Sequence, residues 1–204
     1  MEKYQGVKFG FRRIKDSFDY DDRLAELNRW AYLFSQLGLT PVHADGAYGN
    51  QSYRTEKESF IITKSGMVPS EPLLRENYCH VTGYDEPSGT FLTEGASVPS
   101  SESLLHHALY RAMPKINAIL HGHSTLINTY AADLGIPVTR DFHPYGTPEL
   151  ARSAVELVNG AILFFILKDH GFVALGEDID RAGKLTLDYF GRLIGNLRNS
   201  LFVF

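Results

Sequence analysis

The sequence has a single cysteine, Cys79, so no disulfide can close within the chain, and a reducing, cytoplasmic compartment is the expectation. Long apolar runs are missing too. Nothing approaches the roughly 18 uninterrupted apolar residues of a membrane helix, and the opening MEKYQGVKFG lacks the apolar stretch of a secretory signal. Neither sign of charge dominates: 20 basic residues face 24 acidic ones, for a formal net charge of −4. The densest basic cluster, FRRIK at 11–15, reads as a solvated strand end. Nucleic acid and anionic membranes are therefore not expected partners, and small-molecule chemistry is. There is no internal repeat, low-complexity tract or linker, and 204 residues suffice for one well-buried core. A single domain over 1–204 is expected.

What is present is ordinary globular composition, with 44% hydrophobic and 22% charged residues. A strand is expected at VKFGFRRI. Leu24, Leu27, Ala31, Phe34 and Leu37 then recur at three- and four-residue spacing, an amphipathic helix that Gly38 would cap. HADGAYGNQSYR reads as a Gly-rich turn entering a polar strand, and SFIITKSGMVPS as an apolar run broken at Ser65-Gly66. NYCHVTGYDEPSGTFLTEG reads as two strands around a turn. A helix capped by Ser100 or Ser101 should carry Leu104, Leu105, Ala108, Leu109 and Ala112 on one face and stop before Pro114. INAILHGH reads as a buried strand, with Ser124 capping a helix through TLINTYAADLG. Thr147-Pro148 is a strong helix start, the helix running to about Asn159 before Gly160. AILFFILKDHGFVALGED gives two strands around Asp169-His170-Gly171, and a last helix starts near Asp178. This irregular alternation predicts an α/β fold with a mixed sheet.

Eight histidines make metal or acid–base chemistry worth seeking. Residues two apart on a strand point the same way, so His121 and His123 can present two imidazoles to one ion, with Gly122 leaving the opposite face uncrowded. By itself the pair also fits two hydrogen-bonded structural histidines. A catalytic zinc site typically takes three protein ligands and keeps a position open. His170, at a tight turn, and Glu102, in the first turn of a helix, are the further candidates. Taken singly, one reads as a turn residue and the other as a carboxylate favoured by the helix dipole. Only in combination do the four point to a metal. Gly49-Asn50, Ser65-Gly66 and Ser100-Ser101 form three small polar turns whose N–H and hydroxyl donors suit a phosphate, although ordinary turn and cap chemistry also explains each pair.

In order along the chain, Gly49, Asn50 and Ser52, IITKSG (61–66), PSSE (99–102), HGHS (121–124), YGTPEL (145–150) and KDHGFVALGED (168–178) resemble the class II aldolase/adducin family. That family contains fuculose-phosphate aldolase, ribulose-phosphate 4-epimerase and methylthioribulose-phosphate dehydratase. The resemblance implies a three-layer α/β/α sandwich around a mostly antiparallel sheet, assembled as a homotetramer with the site at a subunit boundary. It implies zinc, or another divalent ion such as manganese or cobalt, held by His121, His123, His170 and Glu102, with Glu102 also the acid/base. It places substrate phosphate at Asn50, Ser65, Gly66, Ser100 and Ser101. The implied chemistry is aldol cleavage of a small phosphorylated keto-sugar, in which the metal stabilises an enediolate. Epimerisation, dehydration or decarboxylation could run on the same metal scaffold. A non-catalytic module like the adducin head is disfavoured by retention of all three histidines and Glu102.

Two departures from the family's aldolases concern proton transfer. The segment between HGHS and YGTPEL is shorter here, and the missing part is where they carry a donor tyrosine. The sequence also ends at Phe204, without the tail that brings them a second tyrosine. Among Arg140, Asp141, His143 and Tyr145 in the shortened segment, His143 and Tyr145 are the possible proton donors.

Overall fold

The computed structural model describes residues 6–158 and 162–201. In chain order the elements are β1 (Gly10–Lys15), α1 (Arg23–Gln36), β2 (Val42–His43), β3 (Gly46–Ala47), β4 (Gly49–Arg54), β5 (Phe60–Thr63), a 3₁₀ turn (Arg75–Asn77), β6 (Tyr78–Asp85), β7 (Thr90–Glu94), α2 (Ser103–Ala112), β8 (Ala118–Gly122), α3 (Thr125–Thr129), α4 (Pro148–Leu157), β9 (Phe164–Leu167), β10 (Gly171–Gly176) and α5 (Ile179–Leu201).

Eight strands form one sheet in the order β1-β7-β6-β5-β4-β8-β10-β9, and β2 pairs with β3 separately. Every ladder is antiparallel except the edge pair β1–β7. Short connections dictate the β4–β5, β6–β7 and β9–β10 pairs, because a few residues can reverse the chain but cannot return it to the same end. The β6–β7 hairpin closes through Glu86-Pro87-Ser88-Gly89, and β9–β10 through Lys168-Asp169-His170.

Strands β5, β8, β9 and β10 are largely apolar on both faces and alternate between two cores. Ile61, Ala118, Leu120, Phe164, Ile166, Phe172 and Ala174 join Leu24, Leu27, Ala31 and Phe34 of α1, Ile127 of α3 and Ile179, Ala182 and Leu193 of α5. Their neighbours Phe60, Ile62, Ile119, Phe165, Leu167, Val173 and Leu175 join Leu105 and Leu109 of α2 and Leu150 and Ala154 of α4. The period of two thus yields the three-layer sandwich, one helix layer on each face. Burying each large side chain contributes on the order of 1.5–3 kcal/mol.

Gly38 follows α1 in the left-handed region at φ 68°, as its cap position requires. The Thr147 side chain accepts from Leu150 N–H with Pro148 in the first turn, and the Ser124 side chain accepts from Ile127 N–H. The expected stop of α4 at Asn159-Gly160 lies outside the described residues. Three boundaries differ from the sequence reading. β1 starts at Gly10 and is exposed along its length. α3 ends at Thr129, and turns continue to Gly135, which takes φ 64°. α2 starts at Ser103, so Glu102 holds the cap position and not the first turn, while Ser100 Oγ caps the preceding turn by accepting from Glu102 N–H at 3.3 Å.

Candidate metal centre

Sheet register brings the polar residues together. β4 and β8 pair so that Asn50 lies opposite His121 and Ser52 opposite Ile119, which puts Asn50, Ser52 and His121 on the face covered by α2. The turn before α2 delivers Glu102 to that face. β10 pairs with β8 on its other side, and the β9–β10 turn carries His170 to the same end. Asp169 takes φ 55° in that turn, a conformation Asp tolerates better than most non-glycine residues.

Four side chains converge. His121 Nε2 lies 3.0 Å from His123 Nε2 and 3.0 Å from Glu102 Oε2, and His170 Nε2 lies 2.8 Å from Glu102 Oε1. One ligand atom from each residue falls within 4.8 Å of all the others. His123 stands one residue past the end of β8, so its turn geometry and not strand alternation aims its ring at His121. Gly122 does not leave an open face as the sequence reading has it: a Cβ there would lie 2.6 Å from the Phe172 ring. Glycine is present because that face is packed.

The donor set fits a divalent cation. His121 Nδ1–H donates to Phe172 O at 2.7 Å, which leaves Nε2 to face the cluster, the arrangement a metal-ligating histidine uses. Two carboxylate oxygens and three imidazole nitrogens meet at the buried end of the site, and a cation satisfies their lone pairs together. Burial opposes charge on Glu102, yet the adjacent His121 and His170 hold its carboxyl well below the usual range. Burial likewise opposes charge on His121, and Glu102 outweighs it and raises the pKa. Burial, then the neighbouring His121 and His170, push His123 well down, so it offers a lone pair.

The cluster opens on a cavity whose lining includes Asn50, Ser65, Gly66, Ser100 and Ser101, the five residues singled out for phosphate, and also Tyr145. His143 is not in that lining. Not every expected donor is free. Ser65 N–H is taken by Val98 O at 3.0 Å and Ser100 N–H by Thr63 O at 3.1 Å. Gly66 and Ser101 N–H have no backbone acceptor among the described residues. Asn50 Nδ2 donates one hydrogen to Glu102 Oε2 at 2.8 Å, so Asn50 serves the carboxylate as well as the cavity.

The lining also holds residues that the sequence reading passed over: Lys64, Tyr48, Asp45 and Asp169. Lys64 has no carboxylate partner among the described residues, and Tyr48 OH donates to Asp45 Oδ2 at 3.3 Å. Lys64 adjoins the Ser65-Gly66 turn, which was the one available signal for it. His106 was missed as well. It is fully buried beside Asn50, and the spacing Glu102, His106, Tyr110 along one helix face could have flagged it.

The sequence profile of the class II aldolase and adducin N-terminal domain matches residues 24–189. An L-fuculose phosphate aldolase of Methanococcus maripaludis is 34% identical over 98 residues, which cover 41% of this chain and 53% of that protein, so the chain spans about half the length of this relative. The 3-oxo-tetronate 4-phosphate decarboxylase of Escherichia coli O6:H1 is 30% identical over 180 residues, 78% of each protein. Among solved structures, L-fuculose-1-phosphate aldolase from Thermus thermophilus superposes with a TM-score of 0.68 at 24% identity, covering 89% of this chain and 96% of that one.

Proposed function

Because this chain belongs to the class II aldolase and adducin N-terminal domain family, we propose that it is a metal-dependent carbon–carbon lyase of the aldolase type, acting on a small phosphorylated keto-sugar. The observation that carries the proposal is Glu102: a buried, ionised carboxylate among three imidazoles, lining the same cavity as Lys64 and the Ser65-Gly66 and Ser100-Ser101 turns.

His121, His123, His170 and Glu102 would hold zinc or a similar divalent ion, which when bound supplies Lewis-acid stabilisation of negative charge on substrate oxygen. Glu102 is the acid/base: one Oε atom accepts the proton from the substrate, and Asn50 Nδ2 at Oε2 favours the ionised form that can accept it. Gly66 and Ser101 N–H, the serine hydroxyls and the Lys64 ammonium orient the phosphate, remote from the bond that breaks. Tyr145 OH, which donates to Gly6 O at 3.2 Å, is assigned the second proton transfer, which returns a proton to the carbon left negative when the bond breaks. His143, off the cavity wall, would have to move to take that role. The working form is a single domain assembled as a cytoplasmic homotetramer, which light scattering of the purified protein tests.

A second reading, decarboxylation of a phosphorylated 3-oxo acid, is favoured by the 30% identity over 180 residues to the E. coli decarboxylase. Lys64 would then face a carboxylate. One experiment covers both readings. The purified protein is assayed for metal content and incubated with phosphorylated ketoses, including L-fuculose 1-phosphate, and with 3-oxo-tetronate 4-phosphate. Expected are one divalent ion per chain, aldehyde release from a ketose phosphate, and loss of both in His123→Ala. Release of carbon dioxide without aldehyde favours the second reading. Absence of stoichiometric metal, or full activity in Glu102→Gln, refutes the lyase proposal.

A further inference from the structure

A buried polar chain runs from Glu102 away from the cavity, between β4 and α2. Glu102 Oε2 accepts from Asn50 Nδ2 at 2.8 Å, Asn50 Oδ1 faces His106 Nε2 at 2.6 Å, His106 Nδ1 faces Ser52 Oγ at 2.7 Å, and Ser52 Oγ meets Tyr110 OH at 2.8 Å. Its members alternate by position. Asn50 and Ser52 are two apart on β4, while His106 and Tyr110 are four apart along α2 with Glu102 four residues before His106 at the helix cap, so one strand face interdigitates with one helix face.

Hydrogen-bond chemistry fixes the direction of every link. An ionised carboxylate only accepts, so Asn50 must turn its nitrogen to Glu102, and its carbonyl oxygen is then left facing His106. A carbonyl only accepts, so His106 must carry its proton on Nε2. His106 is fully buried, and its ring nitrogens face Asn50 Oδ1 and Ser52 Oγ with no carboxylate in hydrogen-bond contact to hold a second proton, so the ring has one proton and Nδ1 is a lone pair. Ser52 must then donate to Nδ1, and Tyr110 to Ser52. If Asn50 flipped, a carbonyl oxygen would face the Glu102 carboxylate, and a donor would face the His106 donor.

We infer that His106 is a positioning residue: as the Nε2–H tautomer selected by Ser52 and Tyr110, it locks the Asn50 amide so that Glu102 is held charged and aimed at the metal-binding histidines. The inference rests on the reading of Glu102 as the acid/base. It assigns a role to three residues, His106, Ser52 and Tyr110, that touch neither metal nor cavity.

The first test is nitrogen-15 NMR of the imidazoles in the metal-free, full-length protein, with the His106 signal identified by its absence in His106→Gln. A protonated Nε2 and an unprotonated Nδ1 are expected, and a protonated Nδ1 overturns the inference whatever reaction the enzyme performs. The second compares variants. His106→Asn, which cannot reach Asn50 with a donor, should lose about 10–100-fold in kcat or zinc affinity, the size typical of groups that orient metal ligands, with KM nearly unchanged. His106→Gln, whose amide can place a donor where Nε2–H sits, should recover at least half of that loss on a logarithmic scale. If His106→Asn keeps its melting temperature, kcat and zinc affinity, the role is refuted. An active Glu102→Gln would instead refute the acid/base reading and leave the tautomer result standing.

Discussion

Gly171, which opens β10, sits against the cluster of His121, His123, His170 and Glu102. A Cβ there would overlap the Gly122 carbonyl oxygen and lie 2.9 Å from His121 Cε1 and 3.1 Å from His123 Cδ2, whereas ordinary contact begins near 3.4 Å. Gly171→Ala must therefore displace both imidazoles by several tenths of an ångström, and neither can yield cheaply. His121 is tied to Phe172 O, and the Gly122 oxygen belongs to the adjoining strand. Overpacking of this kind costs about 1–3 kcal/mol. In a chain of this size each kcal/mol lowers the melting temperature by about 2–4 °C. The effect on metal should be larger, because ligand distances tolerate only about 0.2 Å. Zinc affinity should fall by about tenfold or more, with activity following it. The assays are calorimetry and competition with a zinc-binding dye. Gly191→Ala is the control: that helix position has open space around it, so alanine should stabilise by about 0.5–1 kcal/mol and leave zinc binding alone. Wild-type melting and zinc affinity in Gly171→Ala would refute the steric reasoning.

Other outcomes follow from the buried titratable groups and the cavity. The His106 pKa is depressed from 6.5 to about 3, so its contribution to stability is fully present above pH 6.5 and is lost as pH falls towards 3. Linkage gives a loss of about 2 kcal/mol by about pH 5, which the difference between wild type and His106→Gln in denaturant titrations should reveal and a pH-independent difference would refute. Burial pushes the Cys79 thiol up to about 12, so thiol reagents should leave the native protein unmodified and label it only on unfolding, as mass spectrometry would record. Lys64→Ala should raise KM for a phosphorylated substrate by about tenfold or more with little change in kcat, the mark of lost uniform binding; an unchanged KM would place the anion elsewhere.

The fold was largely readable from the chain because its signals are local. The spacing of Leu24, Leu27, Ala31 and Phe34, the Thr147-Pro148 start and the Glu86–Gly89 turn each specify an element within a dozen residues. The three layers came from the family resemblance and not from the residue pattern, and strands apolar on both faces account for them in the structure. Boundaries slipped where polar residues weaken periodicity, as at Asn128 and Thr129 after α3 began, or where a turn precedes a helix, as at Ser100–Glu102.

By itself the sequence determined the donor types and their order: His121 and His123 beside one glycine, His170 before another, Glu102 after two serines, and the Ser65-Gly66 turn. Only the tertiary structure decided what those groups do to one another. Strand order sets Asn50 against His121 and brings His170 to Glu102 across 68 residues of chain. Helix-to-strand packing sets His106 between Asn50 and Ser52, and the hairpin before β4 sets Tyr48 into the cavity beside Lys64. The physical reason is range. Periodicity and capping act over a few residues, whereas a hydrogen bond or a ligand contact depends on which strands are neighbours and in what register.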